Sequence, residues 1–383
     1  MRRRQLIQAA LLLALAPAAA SARSLIEEIR AAGPIGRQVL AEARLYEPQI
    51  LWTPLRPLSE GRWQPASTQT YGIEPRRWYA AASFVKLPLA ALLLEALEQR
   101  GIDAWEALRL RVDTRTACAP LPEGIAEGLP LVDLLRAMLV VSDNLAYNAL
   151  FELLGSSWIH ARLQTLGFPH IRMGARLGCG GLERPGKLPA QLLRGDAVIW
   201  DSPAQPESIP MFPFGSASKG RAWMEGGRVI EGPRDFRASN FLPLSDVHQL
   251  TLELGGGELL QGPRRFALSA VARARLREWM LLLPRQCPSP RYALPDDHGK
   301  WLLTPGDDGR FAQGLEIASK NAMSFGYLGD SAVILDRRRA RGLALTASLF
   351  VDRDGVLNDG RYAYEEIGRP FLRALGDRLL RQA

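Results

Sequence analysis

The stretch from Ser83 to Leu97 constrains this chain more than any other. Its residues (Ser-Phe-Val-Lys-Leu-Pro-Leu-Ala-Ala-Leu-Leu-Leu-Glu-Ala-Leu) have helical character and are apolar on almost every face. Such a helix must be buried all round rather than laid on a surface, so the rest of the chain has to supply a shell around it. Pro88 falls early enough in the helix to be tolerated. The first turn carries Ser83 and Lys86, one turn apart and therefore on the same face. An amine beside a hydroxyl is the arrangement that makes a weak oxygen nucleophile reactive. A plain N-cap serine with a solvated lysine would be the simpler account. It leaves unexplained why so apolar a helix carries Lys86 in its first turn.

The chain has 383 residues, enough for one large domain or two smaller ones with a substantial core. Apolar residues at 47% and charged residues at 23% are an ordinary globular balance. Residues 1–22 read as a secretory signal peptide: Arg2, Arg3 and Arg4, an apolar run from Leu6 to Ala20, then Ala20-Ser21-Ala22 as a small-residue cleavage site. Losing those three arginines and no acid takes the net charge from +8 to +5. The arginines before Gln5-Leu6-Ile7 also permit twin-arginine export. The expected location is periplasmic or extracellular. No cysteine follows the cleavage site to carry a lipid, and no second segment is apolar enough to span a bilayer, so no membrane partner is expected. The basic residues are scattered, with a short cluster at Arg337, Arg338, Arg339 and Arg341, and read as a solvated face rather than a nucleic-acid surface. Cys118, Cys179 and Cys287 are an odd set that allows at most one bridge and requires none.

Along the chain, residues 24–45 show helical spacing interrupted at Gly33-Pro34, and Gln49-Ile50-Leu51-Trp52 reads as a strand. Pro54 to Glu74 reads as turns with room for a second strand. After the Ser83 helix comes a polar loop region. Leu131 to Leu154 then reads as one or two helices with Ser142-Asp143-Asn144 at an interruption. Residues 178–238, rich in Gly, Pro and Arg, predict a long irregular insertion. Ser245–Leu259 and Ser269–Leu283 are helical, Leu315–Lys320, Ser331–Leu335 and Leu343–Val351 are strand-like, and residues 362–382 close as an amphipathic helix. This order predicts an α/β class, an α+β sandwich. Its sheet is assembled from both chain ends and flanked by helices, with an all-helical lobe over about 83–283 inserted into one domain of residues 23–383.

Several motifs compete. Ser216-Ala217-Ser218-Lys219 repeats the S-x-x-K spacing but lies in the irregular stretch, with Gly220 after it and no apolar helix behind, and reads as a decoy. Asp352-Arg353-Asp354-Gly355 after an apolar strand imitates a phosphatase nucleophile motif. Too little chain follows for that fold, so a turn is expected. Gly181 to Leu188 approaches a P-loop but lacks its Ser/Thr and a preceding strand. His160, His170, His248 and His298 show no ligand spacing, so no metal is expected.

Taken together, Ser83-Phe84-Val85-Lys86, Ser142-Asp143-Asn144 and Lys320-Asn321-Ala322 resemble the penicillin-recognising serine hydrolases, the superfamily of class A β-lactamases and penicillin-binding proteins. The order, the first spacing and the run from Ser142 to Asn148 look like class A. The resemblance implies a β-lactamase/transpeptidase-like fold with an antiparallel sheet. It implies that Ser83 attacks an amide carbonyl, that Lys86 takes its proton, and that Ser142 relays it to the leaving nitrogen. Asn144 would hold the substrate's side-chain amide and orient Lys86. Lys320 would attract a carboxylate with Asn321 beside it, and the N–H groups of Ser83 and Met323 would bind the oxyanion. It implies no metal and no organic cofactor, a monomer, and small-molecule substrates: β-lactams or the D-alanyl peptide ends they imitate.

Two departures matter. Lys320-Asn321-Ala322 stands where the family has K-T-G, so Ala322 adds a methyl against the substrate. No E-x-x-L-N pattern follows Ser142: Glu183 and Asp235 are the nearest acids, and Phe236 occupies the position four before Asn240. The expectation is therefore acylation with slow deacylation. The alternatives are a peptidoglycan D,D-peptidase, amidase or esterase, or a non-catalytic wall-binding homologue.

Overall fold

The strand Tyr327–Asp336 has no residue open to solvent, and that places it at the centre of a sheet covered on both faces. Its side chains alternate: Leu328, Ala332 and Ile334 join one apolar cluster, and Tyr327, Val333 and Leu335 join the other. The computed structural model describes residues 24–112, 128–178, 186–208, 210–288 and 291–383. Residues 1–22, expected to be a signal peptide, together with Cys118, Cys179, Glu183 and most of the Gly181–Leu188 stretch, lie outside the described residues; Cys287 is buried.

In chain order the described strands are β1 (Gln49–Pro57), β2 (Trp63–Pro65), β3 (Gln69–Tyr71), β4 (Leu108–Val112), β5 (Leu129–Pro130), β6 (Ala190–Arg194), β7 (Ala197–Ser202), β8 (Ser218–Lys219), β9 (Ala222–Glu225), β10 (Arg228–Glu231), β11 (Arg234–Asp235), β12 (Leu315–Ser324), β13 (Tyr327–Asp336), β14 (Arg341–Phe350) and β15 (Val356–Leu357). The helices are α1 (Leu25–Ala31), α2 (Pro34–Ala41), α3 (Ala43–Tyr46), α4 (Lys86–Gln99), α5 (Leu131–Val140), α6 (Asn144–Leu154), α7 (Ser156–Thr165), α8 (Leu244–Gly256), α9 (Ala270–Leu281) and α10 (Arg369–Gln382). No described helix is long and apolar enough to cross a membrane.

The main sheet is antiparallel, in the order β12-β13-β14-β1-β2 with β3 also on β1, so it is built from both chain ends. One face is covered by α1, α2 and α10, whose Leu25, Ile29, Val39, Phe371, Leu375 and Leu379 pack on it. The other face carries the inserted lobe, centred on α4. Every residue of α4 from Lys86 to Leu97 is buried, and α5 to α9 surround it. Its one acid within that span, Glu95, is fully buried yet satisfied: Arg162 donates two hydrogen bonds to it at 2.7 Å each, and the Ala267 N–H donates a third at 2.6 Å.

The lobe is not wholly helical, and the described residues between 186 and 238 include short paired strands rather than being irregular throughout. Residues 108–112, read as loop, form the centre of a four-stranded sheet in the order β5-β4-β6-β7. β9 and β10 make a hairpin closed by Gly226 and Gly227 at φ +55° and +78°, both glycines in the left-handed region that a two-residue turn of this type requires. β15 adds to this hairpin in parallel. These strands escape a periodicity argument because they are two to six residues long and half exposed.

Candidate active site

The chain reaches Ser83 through a tight turn. Residues Ala82–Val85 form one turn of 3-10 helix that runs into α4 at Lys86, with Ala82 at φ +42° immediately before the serine. Phe84 anchors this turn to the sheet. Its ring lies against Gly329 of β13, where a Cβ would stand 3.2 Å from the ring and 2.6 Å from the Ala347 carbonyl oxygen, so only glycine admits that approach. The result is a half-buried Ser83 above a fully buried Lys86.

The break between α5 and α6 supplies the second segment. Asp143 caps α6, its carboxylate accepting the Ala146 N–H at 2.7 Å. Ser142 sits before it at φ +59°. In that conformation both the carbonyl and the hydroxyl of Ser142 reach the Lys86 amine: Nζ contacts the carbonyl oxygen closely and lies 3.1 Å from Oγ. Asn144, the first residue of α6, offers Oδ1 to Nζ at 2.7 Å, and Ser83 Oγ lies 3.0 Å away.

Four oxygens thus surround one nitrogen. Two, the Ser142 carbonyl and Asn144 Oδ1, can only accept. A neutral amine has two N–H bonds to donate to these and keeps one lone pair, directed at a hydroxyl. Its pKa makes that state accessible. The ammonium is pushed well below its ordinary range, first by burial, then by the nearby Lys320 charge, with Asp143 opposing.

The third segment is β12, the sheet's edge strand, which packs against the Ser83 turn. Lys320 Nζ donates to Ser142 Oγ at 2.9 Å and to the carbonyl and side-chain oxygens of Asn321 at 3.1 and 3.0 Å. Burial pulls its pKa down to about 7, with the Lys300 charge adding to the fall and Asp330 opposing it. β12 and β13 are joined by the two-residue turn Phe325-Gly326, at φ +49° and +78°. Such a turn makes Ser324 and Tyr327 a hydrogen-bonded pair. By alternation the Met323 N–H then points to the open edge of β12, not into the ladder. The Met323 side chain is 44% exposed, and Ala322 is buried.

The structure therefore brings Ser83, Lys86, Ser142, Asn144, Lys320 and Asn321 into one hydrogen-bonded group, with Met323 on the adjoining edge. The second S-x-x-K takes no part in it: Lys219 is ion-paired to Glu47 and lies over the Phe350 ring. Asp352 and Asp354 cap a turn by accepting the N–H groups of Gly355 and Val356. Among the described residues no cluster of three or more His, Cys, Asp or Glu could hold a metal.

Beside the nucleophile turn lies a half-open cleft of about 420 Å³ that the motifs do not reveal. Ala80–Ala82 form one wall and Ser324 and Phe325 another, while Gly178, Phe236 and Asn240 come from the long connection after α7. That connection is pinned down. Asn240 accepts the N–H groups of Gly174 and Ala175 and donates to the Ala175 carbonyl. Asn148 exchanges two hydrogen bonds with Leu177, and Arg176 forms a buried pair with Glu152 at 2.8 and 2.9 Å. No Asp or Glu is among the described residues lining the cleft.

Among known proteins, residues 63–197 match the family model for the β-lactamase enzyme family. The β-lactamase regulatory protein BlaB of Streptomyces cacaoi is 28% identical over 205 residues, a match covering 50% of this chain and 65% of that relative's length. Among solved structures, a β-lactamase from Desulfarculus baarsii superposes with a TM-score of 0.53 at 16% identity, over 92% of this chain and 98% of the other. A PBP-A mutant, solved as its acyl-enzyme complex with penicillin G, gives 0.50 at 16% identity over 94% and 98%. At such identities these likenesses speak for the fold.

Proposed function

We propose that the chain is a member of the penicillin-recognising serine enzyme superfamily, a reading supported by the family match over residues 63–197 and by the fold, and that it is an exported serine hydrolase of the β-lactamase type that acylates readily and deacylates slowly. The observation that carries this reading is the position of Ser83 Oγ, 3.0 Å from an amine whose charged form is disfavoured by burial and by the nearby Lys320 charge.

The steps follow from the contacts. Ser83 Oγ attacks the carbonyl carbon of a cyclic or peptide amide while its proton passes to the Lys86 lone pair. The negative charge that forms on the carbonyl oxygen is met by the N–H groups of Ser83 and Met323, each such donor contributing about 3 kcal/mol in comparable sites. Ser142 Oγ, within reach of both amines, carries a proton to the departing nitrogen, and the C–N bond breaks to leave an ester on Ser83. Asn144 orients Lys86 and the substrate amide, while the Lys320 cation with Asn321 draws the substrate carboxylate. Hydrolysis of the ester needs a base to activate water. The cleft supplies no described carboxylate for this, so the ester persists. Substrates are β-lactams or D-alanyl peptide ends, and the export signal at residues 1–22 takes the protein to where both occur.

The lack of a carboxylate among the described residues of the cleft also favours a second reading, a sensor in which the long-lived acyl form is the signal. Intact-protein mass spectrometry after mixing with benzylpenicillin tests the first reading. A stable adduct on Ser83 is expected. Turnover without a detectable adduct, or no adduct at all, sinks it. A phenotype that survives Ser83→Ala would exclude both acyl-enzyme readings.

A further inference from the structure

We infer that Lys300, a buried lysine outside the reacting group, is a positioning residue for Lys320: it clamps the strand that carries Lys320 to α9, and the two amines share one carboxylate, Asp330. Its weight in catalysis rests on the acyl-enzyme reading of Lys320; the link between the two lysines does not.

The chain is sparing with lysine. Among its 48 basic residues the lysines are Lys86, Lys187, Lys219, Lys300 and Lys320, and arginine fills every other basic position. Lys86, Lys187, Lys300 and Lys320 are buried. Burying an amine costs free energy unless it is hydrogen-bonded and answered by a charge. Lys300 meets both conditions, and each of them leads to Lys320.

The first is mechanical. Lys300 Nζ donates to the Met280 carbonyl at 2.7 Å and to the Ile317 carbonyl at 2.6 Å, with Ser319 Oγ at 3.4 Å. Met280 lies in the last turn of α9, where the carbonyls have no partner within the helix and favour a cation. Ile317 lies in β12. Because Ser324 and Tyr327 form a hydrogen-bonded pair, positions 323, 321, 319 and 317 turn their backbone groups to the open edge. The Ile317 carbonyl thus meets Lys300 on the same edge where the Met323 N–H lies. One ammonium joins the end of α9 to the flank of the strand that presents Lys320.

The second is electrostatic. Asp330 is fully buried on β13 and stands opposite Asn321 in the ladder. Its Oδ2 accepts the N–H of Trp301, the residue after Lys300, at 2.7 Å, and its Oδ1 accepts the Ser331 N–H at 2.8 Å. Ile317, Ser319 and Asn321 share one face of β12 and Lys320 leaves from the other, so Asp330 acts from behind the strand. Burial pulls the Lys300 pKa down to about 8 and the Lys320 pKa down to about 7, with the Asp330 charge opposing each fall. Burial raises the Asp330 pKa to about 6, opposed by the Trp301 N–H and by both amines. Lys86, with Asp143 beside it, and His298, flanked by Arg369 and Asp297, also face Lys320. Asp296 faces Lys300 but is held by Arg285 at 2.7 Å. Asp330 is the carboxylate that acts on both lysines. Deleting the Lys300 charge leaves Asp330 to Lys320 alone, so Lys320 should keep its proton to higher pH.

With so few lysines, isotope-labelled lysine side chains give one resolvable signal each, and Lys320 can be followed against pH with no substrate present. Lys300→Gln deletes the charge and keeps N–H donors for the carbonyls, while Lys300→Met deletes both. Each should move the Lys320 midpoint up by about one unit, and Asp330→Asn should move it down by about as much. Lys300→Gln combined with Asp330→Asn should return it to within about half a unit of the parent. The alkaline limb of acylation should follow the midpoint in every variant. A midpoint indifferent to Lys300 overturns the proposal, as does one that moves in Lys300→Met and not in Lys300→Gln, which would mark a role in packing alone. If neither variant folds, the parent decides: a shared carboxylate requires the Lys300 signal to shift as Lys320 loses its proton, and a still signal overturns the link. Shifted midpoints without any penicillin adduct would uphold the link and overturn the acylation reading.

Discussion

The chain contains the same four-residue spacing twice, and the two copies differ in everything except spacing. Ser83 and Lys86 lie on a helical turn, which puts residues three apart on one face, and their groups meet at 3.0 Å. Ser216 precedes the two-residue strand β8 (Ser218–Lys219), in an extended stretch with no helical turn to bring residues three apart onto one face. Lys86 is buried among neutral oxygens with no described carboxylate in contact, and its ammonium is pushed well below its ordinary range. Lys219 is clasped by Glu47, which also accepts the Tyr327 hydroxyl at 3.0 Å. One lysine has been made reactive by its neighbours, and the other serves as a pin between the connection after α7 and the main sheet. The backbone period around the motif, and the absence of a counter-charge, decide which is which.

The comparison breaks most sharply at the nucleophile. Ser83→Ala should abolish the penicillin adduct, and Lys86→Ala should slow acylation by about 10³-fold, within the range for loss of a positioned base. Ser216→Ala and Lys219→Ala should leave the rate within about twofold. Stopped-flow acylation with a chromogenic cephalosporin measures all four, and an adduct on Ser216 would reverse the assignment.

A smaller effect is expected with pH. Acylation needs Lys86 neutral and Lys320 charged, so the rate of the free enzyme should rise through the lowered Lys86 pKa. It should fall above about 7, as Lys320 loses its proton. The Lys320→Arg variant keeps its charge and should lose the alkaline limb. Because Asp330 holds the Lys320 pKa up, Asp330→Asn should move that limb to lower pH. A flat profile for the parent enzyme between about pH 6 and 9 would contradict these roles.

Removing the pin should read out in stability alone. Lys219→Met leaves Glu47 half-buried without its cation and forfeits the contact over Phe350 at 4.2 Å. A loss of about 1–3 kcal/mol in urea unfolding is expected, with acylation unchanged. Smallest of all, Ala322→Gly removes the methyl beside the carboxylate-binding lysine and should raise acylation about two- to fivefold for carboxylate-bearing substrates. An unchanged rate would show that the methyl does not meet the substrate.

Much of the fold and most of the reacting group are legible in the amino-acid sequence. The apolar helix implies its own burial, and Lys86 at its start is the residue that burial does not explain. Ser142-Asp143-Asn144 stands out because Asp143 is a natural cap, and Lys320 because a lysine after Ile317, Ala318 and Ser319 breaks a strand pattern. What stays hidden depends on distance in sequence or on strands too short to carry a period. β6 to β11 are held by neighbours rather than by their own pattern. The ring stack of Trp78, Phe236 and Phe325 in the cleft wall joins three segments that no local rule connects. The strained Phe325 turn escapes notice because the residue there contradicts the preference by which such turns are recognised.

The sheet's connectivity has a consequence during biosynthesis. β1 emerges early, yet its long-range partner is β14, with Gln49 opposite Ser348. Until the last strands arrive, an apolar segment waits with one flank open, and closing so wide a loop is slow. Lys320 travels with those same late strands. The hydrogen-bonded group around Ser83 is therefore incomplete until the C-terminal strands have joined the sheet.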